Sequence, residues 1–278
     1  MAIRIVTDST CDLPVSLIDG LGITVIPLYI NIGDQGYLDG IDISRQEFYS
    51  QLADYPSHPT TGTPGTAAFT NAFDILVDEG VEEIISIHIS EKLSATIDVA
   101  RTAAREYQRA RVTVIDSGQL SIGTGFQVEL AARMAIDGKP SDEIILALDN
   151  LRARTFVTAR LNTLEFLRRS GRMNRFMTGL GSLIQLKPIL TMRDGKPGSD
   201  RVRTSIRAEK RLISLLEARI PLERFALVHT NAHVKAEAFK KKIEKYLPEG
   251  EIFSMDITPV IGAHLGPGAV GFAIVTKM

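Results

Sequence analysis

A chain of 278 residues with 44% hydrophobic residues is long enough to bury a large core, as two lobes or one large α/β domain. Its 32 basic and 33 acidic side chains leave a formal net charge of -1, which excludes a broad basic field for nucleic acid or acidic membrane. The one cysteine, Cys11, excludes an intrachain disulfide framework and a cysteine zinc cluster, and fits a reducing cytoplasm.

The N-terminal run Met1-Ala2-Ile3-Arg4-Ile5-Val6 enters a strand-like pattern directly and lacks the long apolar stretch of a signal peptide, so the expected location is cytoplasmic. No apolar run approaches the roughly 20 residues needed to span a bilayer as a helix. Short β-branched runs at Ile3 to Val6, Thr24 to Ile30, Ile84 to Ile89 and Val112 to Ile115 are predicted strands. Between them, Ser44-Arg45-Gln46-Glu47 forms a capping box, Leu93 to Arg109 reads as a helix, and Gly138-Lys139-Pro140-Ser141 separates two more. This rhythm predicts an α/β lobe with a parallel sheet over residues 1–150. A mixed α/β lobe is predicted over residues 151–278. It holds a helix ending at Ser170-Gly171, strands around Ile184 to Leu190, an Asp194-Gly195 turn and a helix from Ile206 to Arg219. Phe225 to His229, a Lys-rich helix to Tyr246 and two final strands complete it.

Hydroxyl-rich turns follow several predicted strands: Thr7-Asp8-Ser9-Thr10, Ser90 with Ser94, Asp116-Ser117 and Thr230-Asn231. In open α/β sheets ligands bind beyond the carboxyl ends of the strands, although any one of these residues is also an ordinary helix cap. The cluster Thr60-Thr61-Gly62-Thr63-Pro64-Gly65-Thr66 suits an anionic head group before a helix, or serves as a linker and cap. Gly262-Ala263-His264-Leu265-Gly266-Pro267-Gly268 surrounds a histidine with backbone freedom; it reads as a ligand site or as a tight turn before a last strand from Ala269 to Val275.

Motifs exclude several chemistries. No phosphate loop is present, Gly118 to Gly125 does not match a dinucleotide fingerprint, and no G-x-S-x-G, H-E-x-x-H or S-x-x-K occurs. His58, His229 and His233 lack metal-ligand spacing, His88 within an apolar run reads as a core histidine, and Cys11 reads as incidental. Neither a metal nor a cofactor is expected. Leu167 to Met177 sets four arginines among Met and Phe, a composition that grips phosphates or docks partners; a helix C-terminus explains Arg168 and Arg169 but not Arg172 and Arg175.

Taken together, T-D-S-T from Thr7, T-T-G-T-P-G from Thr60, I-S-E-K-L-S-A-T ending at Thr96, S-G-R-M from Ser170 and the His264 turn closely resemble the DegV family. The resemblance runs from Ile3 to the last strand. It implies a fatty-acid-binding protein with its ligand site between the lobes and without catalysis of its own. It also implies a role as the acyl-carrying subunit of a bacterial fatty acid kinase, whose separate ATP-binding protein phosphorylates the bound carboxylate. On this resemblance, Thr61, Ser94 and His264 bind the carboxylate. Arg203, Thr63 and Thr96 belong to its polar network, and Arg172 serves kinase docking and phosphoryl transfer. Many members read T-S-x-P-S where this chain has Thr61-Gly62-Thr63-Pro64-Gly65, and L-S-G-T where it has Leu93-Ser94-Ala95-Thr96. Ala95 therefore puts a methyl near the expected pocket mouth.

Burying about fourteen methylenes at roughly 0.8 kcal/mol each gives a gross ~11 kcal/mol before ordering costs, so an apolar tunnel suffices for affinity. Leu164, Phe166, Leu183, Ile184 and Ile189 are expected to line it. The expected partners are a long-chain fatty acid and the kinase protein, with transient membrane contact allowed and no nucleic acid. The rival reading is a hydrolase or phosphotransferase that pairs Ser9 or Ser94 with His264; a nucleotide-binding regulator is a third.

Overall fold

β-branched alternation builds the first sheet of the computed structural model, which describes residues 2–176 and 187–278. In chain order the first half runs β1 (Ile3–Asp8), α1 (Val15–Gly20), β2 (Thr24–Ile26), β3 (Tyr29–Ile32), β4 (Gln35–Leu38), α2 (Arg45–Gln51) and β5 (Thr60–Gly62). It continues with α3 (Thr66–Asp78), β6 (Glu83–His88), α4 (Thr96–Glu106), β7 (Arg111–Asp116), α5 (Ile122–Ile136) and α6 (Ser141–Arg154). The second half runs β8 (Thr155–Arg160), α7 (Glu165–Arg169), α8 (Met173–Phe176), β9 (Lys187–Arg193), β10 (Lys196–Val202), α9 (Ser205–Glu217) and β11 (Leu222–His229). Then come α10 (His233–Ile243), β12 (Phe253–Asp256), α11 (Pro259–Leu265) and β13 (Val270–Thr276).

Strands β2-β1-β6-β7 form a parallel sheet in that order. Because side chains alternate along a strand, Ile3 and Ile5 face α5 while Val6 faces Phe69 and Phe73 of α3 and Ala100 of α4. Strands β10-β9-β8-β13-β11-β12 form a second sheet, antiparallel except for the β11–β12 pair. Helices α9 and α10 cover one face of it through Leu212, Leu216 and Phe239.

Helix α5 lies between the two sheets and touches both, so most of it is buried, including Gln127, which donates to the Ser117 carbonyl at 2.8 Å. A Cβ at Gly123 would sit 2.5 Å from Val157 Cγ2, and one at Gly125 would collide with the Cys11 carbonyl. The glycines of Gly118 to Gly125 thus include two that let a helix approach packed neighbours. One core cluster unites Ile5 and Ile87 of the first sheet with Val157, Met192 and Ala273 of the second. The expected boundary near residue 150 falls inside α6.

Several predicted elements differ in detail. Thr24 to Ile30 divides into β2 and β3, since Pro27 supplies no N–H to a ladder. β3 instead pairs antiparallel with β4 and β5 in a small third sheet, so Thr60 to Gly62 is an edge strand rather than a linker. The helix expected from Leu93 begins at Thr96. His264 sits in the last turn of α11, not in a glycine turn: Thr258 caps that helix by accepting the Val260 N–H, and Pro259 occupies its first turn. Ile184, expected in a strand, lies outside the described residues. No helix among the described residues is long and apolar enough to cross a membrane.

Candidate functional site

The carboxyl ends of β1 and β6, strand β5 and helix α11 converge on a cavity of about 350 Å³. Thr10, Thr61, Thr63, Ser94, Arg172 and His264 supply its polar groups. Leu28, Ile89, Leu93 and Leu120 supply apolar wall, as do Leu167, Phe176 and, from α11, Val260, Ile261 and Leu265. Such a crevice is where open α/β sheets place ligands.

Two polar links cross the cavity wall. Thr61 Oγ1 and His264 Nε2 are hydrogen-bonded at 3.1 Å, joining β5 to α11 across 203 residues of sequence. Thr96 Oγ1 bonds Thr63 Oγ1 at 3.1 Å and Ser94 Oγ at 2.8 Å, while the Thr96 N–H donates to Ser94 Oγ at 3.3 Å. Burial, then the charges of Arg172, His58 and Arg175, push the His264 imidazole down to about 3, so it is neutral at physiological pH. Among the described residues its Nδ1 is buried without a partner, a polar atom left for a ligand.

Arg172 also lines the cavity. Its Nη1 donates to the Ser170 carbonyl at 2.8 Å, and among the described residues its buried Nε has no partner and no carboxylate pairs with it. Burial and the neighbouring Arg175 hold this guanidinium below its ordinary value, an unfavourable state that an incoming anion relieves. Ala95 lines the cavity as well. Arg203 follows β10, is exposed and does not line the cavity.

Neither expected serine meets the histidine. Ser94 bonds Thr96, and Ser9 Oγ accepts the Leu28 N–H at 3.2 Å and bonds Asp39. The fold does contain an Asp-His-Ser line: Asp8 Oδ2 lies 3.0 Å from His88 Nδ1, and His88 Nε2 lies 2.7 Å from Ser86 Oγ. All three residues are fully buried and none lines the cavity, so His88 is a core histidine despite that connectivity. Burial pulls the Asp8 carboxyl up, but His88, with bonds from Thr10 and Ile89, holds it below the usual carboxylate range. Burial pushes the Cys11 thiol up to about 12, so it is no nucleophile. Among the described residues no group of three His, Cys, Asp or Glu side chains is placed to hold a metal.

A buried network that the sequence reading missed holds α11 in place. Asp12 accepts the Thr258 N–H at 2.8 Å, the Ser121 hydroxyl at 2.5 Å and Arg45 Nη2 at 3.0 Å, while Thr258 Oγ1 donates to Asp39. Burial, only partly offset by Arg45, pushes the Asp12 carboxyl up to about 6. Tyr49 of α2 donates to the Ile257 carbonyl at 2.9 Å and packs against Gly262. Asp12 and Tyr49 therefore fix the N-terminal end and the middle of the helix that presents His264.

The apolar path continues beyond the main cavity. Leu120, Phe176 and Leu265 also border a smaller void of about 30 Å³, lined by Val157, Leu190, Met192 and Val228. Of the residues expected to line a tunnel, Ile189 faces α9 and α10 instead, since alternation turns Leu190 toward the void. Leu164 packs on the main core, and Phe166 lies against His58 at 5.5 Å between ring centroids; neither lines the cavity. Leu183 and Ile184 lie outside the described residues.

The model of the family described as "Uncharacterised protein, DegV family" matches residues 2–277. A DegV domain-containing protein of Listeria innocua is 34% identical over 273 residues, covering 97% of this chain and 96% of that one. A DegV family protein from Thermus thermophilus, solved in a study of its fatty acid binding, is 32% identical, with a TM-score of 0.90 over 100% of both chains. DegV of Bacillus subtilis, a fatty acid binding protein, is 27% identical, with a TM-score of 0.90 over 100% of both.

Proposed function

This chain belongs to the DegV family, and from that premise we propose that it binds a long-chain fatty acid. The carboxylate meets Thr61, Ser94 and His264, and the tail lies along the apolar wall toward the Leu120, Phe176 and Leu265 neck. The observation that carries this reading is the division within one cavity: hydroxyls, a neutral imidazole with a free Nδ1 and an unpaired arginine lie beside an otherwise apolar wall. Hydroxyl and imidazole donors hold a carboxylate without a strong buried ion pair. The Thermus thermophilus and Bacillus subtilis relatives bind fatty acids, which supports the same ligand class here.

The chain performs no chemistry on that carboxylate itself. A histidine held near 3 is a poor general base at neutral pH, and among the described residues no carboxylate orients it. A separate ATP-dependent kinase protein in the cytoplasm phosphorylates the bound acid to an acyl phosphate, with Arg172 near the phosphoryl group. Residues 1–150 and 151–278 act as two lobes of one unit around the ligand.

A fatty acid at 100 times its Kd stabilises the fold by about 2.7 kcal/mol, which raises the Tm by roughly 5–10 °C. ATP alone is expected to leave it unchanged. Reconstitution with a fatty acid kinase ATP-binding protein then tests the second step: Arg172→Gln is expected to retain acyl binding while acyl phosphate formation falls. Ester cleavage by the chain alone, lost in His264→Ala, would instead establish the hydrolase reading.

A further inference from the structure

A second cavity, of about 360 Å³, opens at the other end of β13 from His264, where β8 begins and β9 and β13 end. Arg154, Arg193, Arg219 and Lys277 all line it. The carboxylates nearby are committed: Glu223 pairs with Arg154, and Asp194 lies 3.6 Å from Arg152. Among the described residues, Arg193, Arg219 and Lys277 have no acidic partner.

Cations at helix C-termini are common, and that explanation covers part of the cluster. Arg154 ends α6 and Arg219 lies just beyond α9, where its Nη1 donates to the Leu215 carbonyl at 2.6 Å. Two helix ends contribute about half a negative charge each. With Glu223 they offset about two of the four cations, so roughly two positive charges remain uncompensated. Arg193 and Lys277 serve no helix end.

The cluster is also partly preorganised. The Arg219 guanidinium lies 3.6 Å from the centroid of the Phe156 ring, and Arg154 Nη1 donates to the Thr276 carbonyl at 2.6 Å, so neither side chain needs ordering to receive a ligand. Burial and the neighbouring Arg193 and Arg211 hold the Arg219 guanidinium below its ordinary value, as expected where cations crowd without a counter-ion.

We propose that this cavity is an anion site for a phosphate dianion, supplied by a soluble phosphate or by a monoester lipid headgroup. Planar guanidinium forks match phosphate oxygens, and a net surplus of about two charges matches a dianion.

The test is isothermal titration of the full chain with inorganic phosphate at low ionic strength, beside the Arg193→Gln/Lys277→Gln double variant. Both side chains are exposed and without a protein partner, so the variant keeps the fold. The wild type is expected to bind one phosphate, with affinity falling as salt rises, and the variant to bind about tenfold more weakly or worse. Fatty acid binding is expected to be equal in both. Sedimentation with phosphatidylcholine vesicles carrying phosphatidic acid separates the sources. Variant-sensitive pelleting assigns the lipid headgroup, and phosphate binding without pelleting assigns a soluble phosphate. No binding in either assay, or equal binding by wild type and variant, would overturn the proposal.

Discussion

Replacing Gly262 with alanine tests how tightly α11 must sit for His264 to work. The added Cβ would fall against the Tyr49 hydroxyl, with ring atoms Cζ and Cε1 at 2.7 and 2.9 Å. Tyr49 cannot swing away easily: it is buried, packs edge-on against Phe48 at 5.3 Å and donates to the Ile257 carbonyl at 2.9 Å. Ordinary carbon contacts need ~3.5 Å or more, so relief requires roughly 1 Å of movement. The short α11 takes up that movement, and His264 lies two residues along it. From a Thr61–His264 distance of 3.1 Å, such a shift breaks the hydrogen bond. Overpacking costs about 1–3 kcal/mol, and the better helix propensity of alanine returns up to about 1, so a net loss of about 1–2 kcal/mol in urea unfolding is expected. Displacement of a fluorescent fatty acid reads the second effect, an affinity about tenfold to a hundredfold weaker, the cost of one misplaced contact to a charged head group. Tyr49→Phe in the same background is expected to recover part of the stability, measured as a coupling energy. Unchanged stability and unchanged affinity in Gly262→Ala would refute the reasoning.

Thr61→Val removes the hydroxyl but keeps the shape; fatty acid affinity is expected to fall about tenfold to a hundredfold, and the Tm of the ligand-free protein by about 2–4 °C because His264 Nε2 loses its partner, both read by thermal shift. Arg45→Met strips the buried Asp12 of its countercharge and is expected to cost about 3 kcal/mol in denaturant unfolding at pH 7. The pH dependence of His264 follows from its depressed pKa. The folded imidazole stays neutral to about 3, whereas the unfolded one takes a proton near 6.5, so the unfolded state binds more protons as pH falls. Wild type is therefore expected to lose stability relative to His264→Gln below about pH 6.5, by at most about 1.4 kcal/mol per pH unit. Asp12, raised to about 6, titrates in both proteins and cancels in the difference. Parallel stability curves from pH 7 to 4 would count against a buried neutral His264.

The parallel sheet was legible because β-branched alternation carries its own geometry: β1, β6 and β7 form where Ile3 to Val6, Ile84 to Ile89 and Val112 to Ile115 predict them. The third sheet escaped because its strands are three or four residues long, too short for periodicity to register. Gly33-Asp34 between Ile32 and Gln35 is the two-residue hairpin signal that joins β3 to β4. Helix α11 had a signal too, Thr258 before Pro259, but the glycines around His264 suggested a turn. Gly262 serves close packing against Tyr49 within the helix, while Gly266 and Gly268, at φ 72° and 85°, do make the turn that follows it. At the site, the hydroxyl cluster and the histidine were visible as motifs, but their meeting was not, because 203 residues separate Thr61 from His264. The tail path depended on strand parity: the sequence marks Ile189 and Leu190 as equally apolar, and only the register of β9 against β8 decides which faces the void.

Native mass spectrometry of the purified protein, followed by denaturing extraction of any released molecule, tests the central claim most directly. The account predicts one long-chain fatty acid per chain, either retained through purification or taken up when added, and held less tightly by Thr61→Val. A chain that emerges empty and refuses added fatty acids of every length would contradict it.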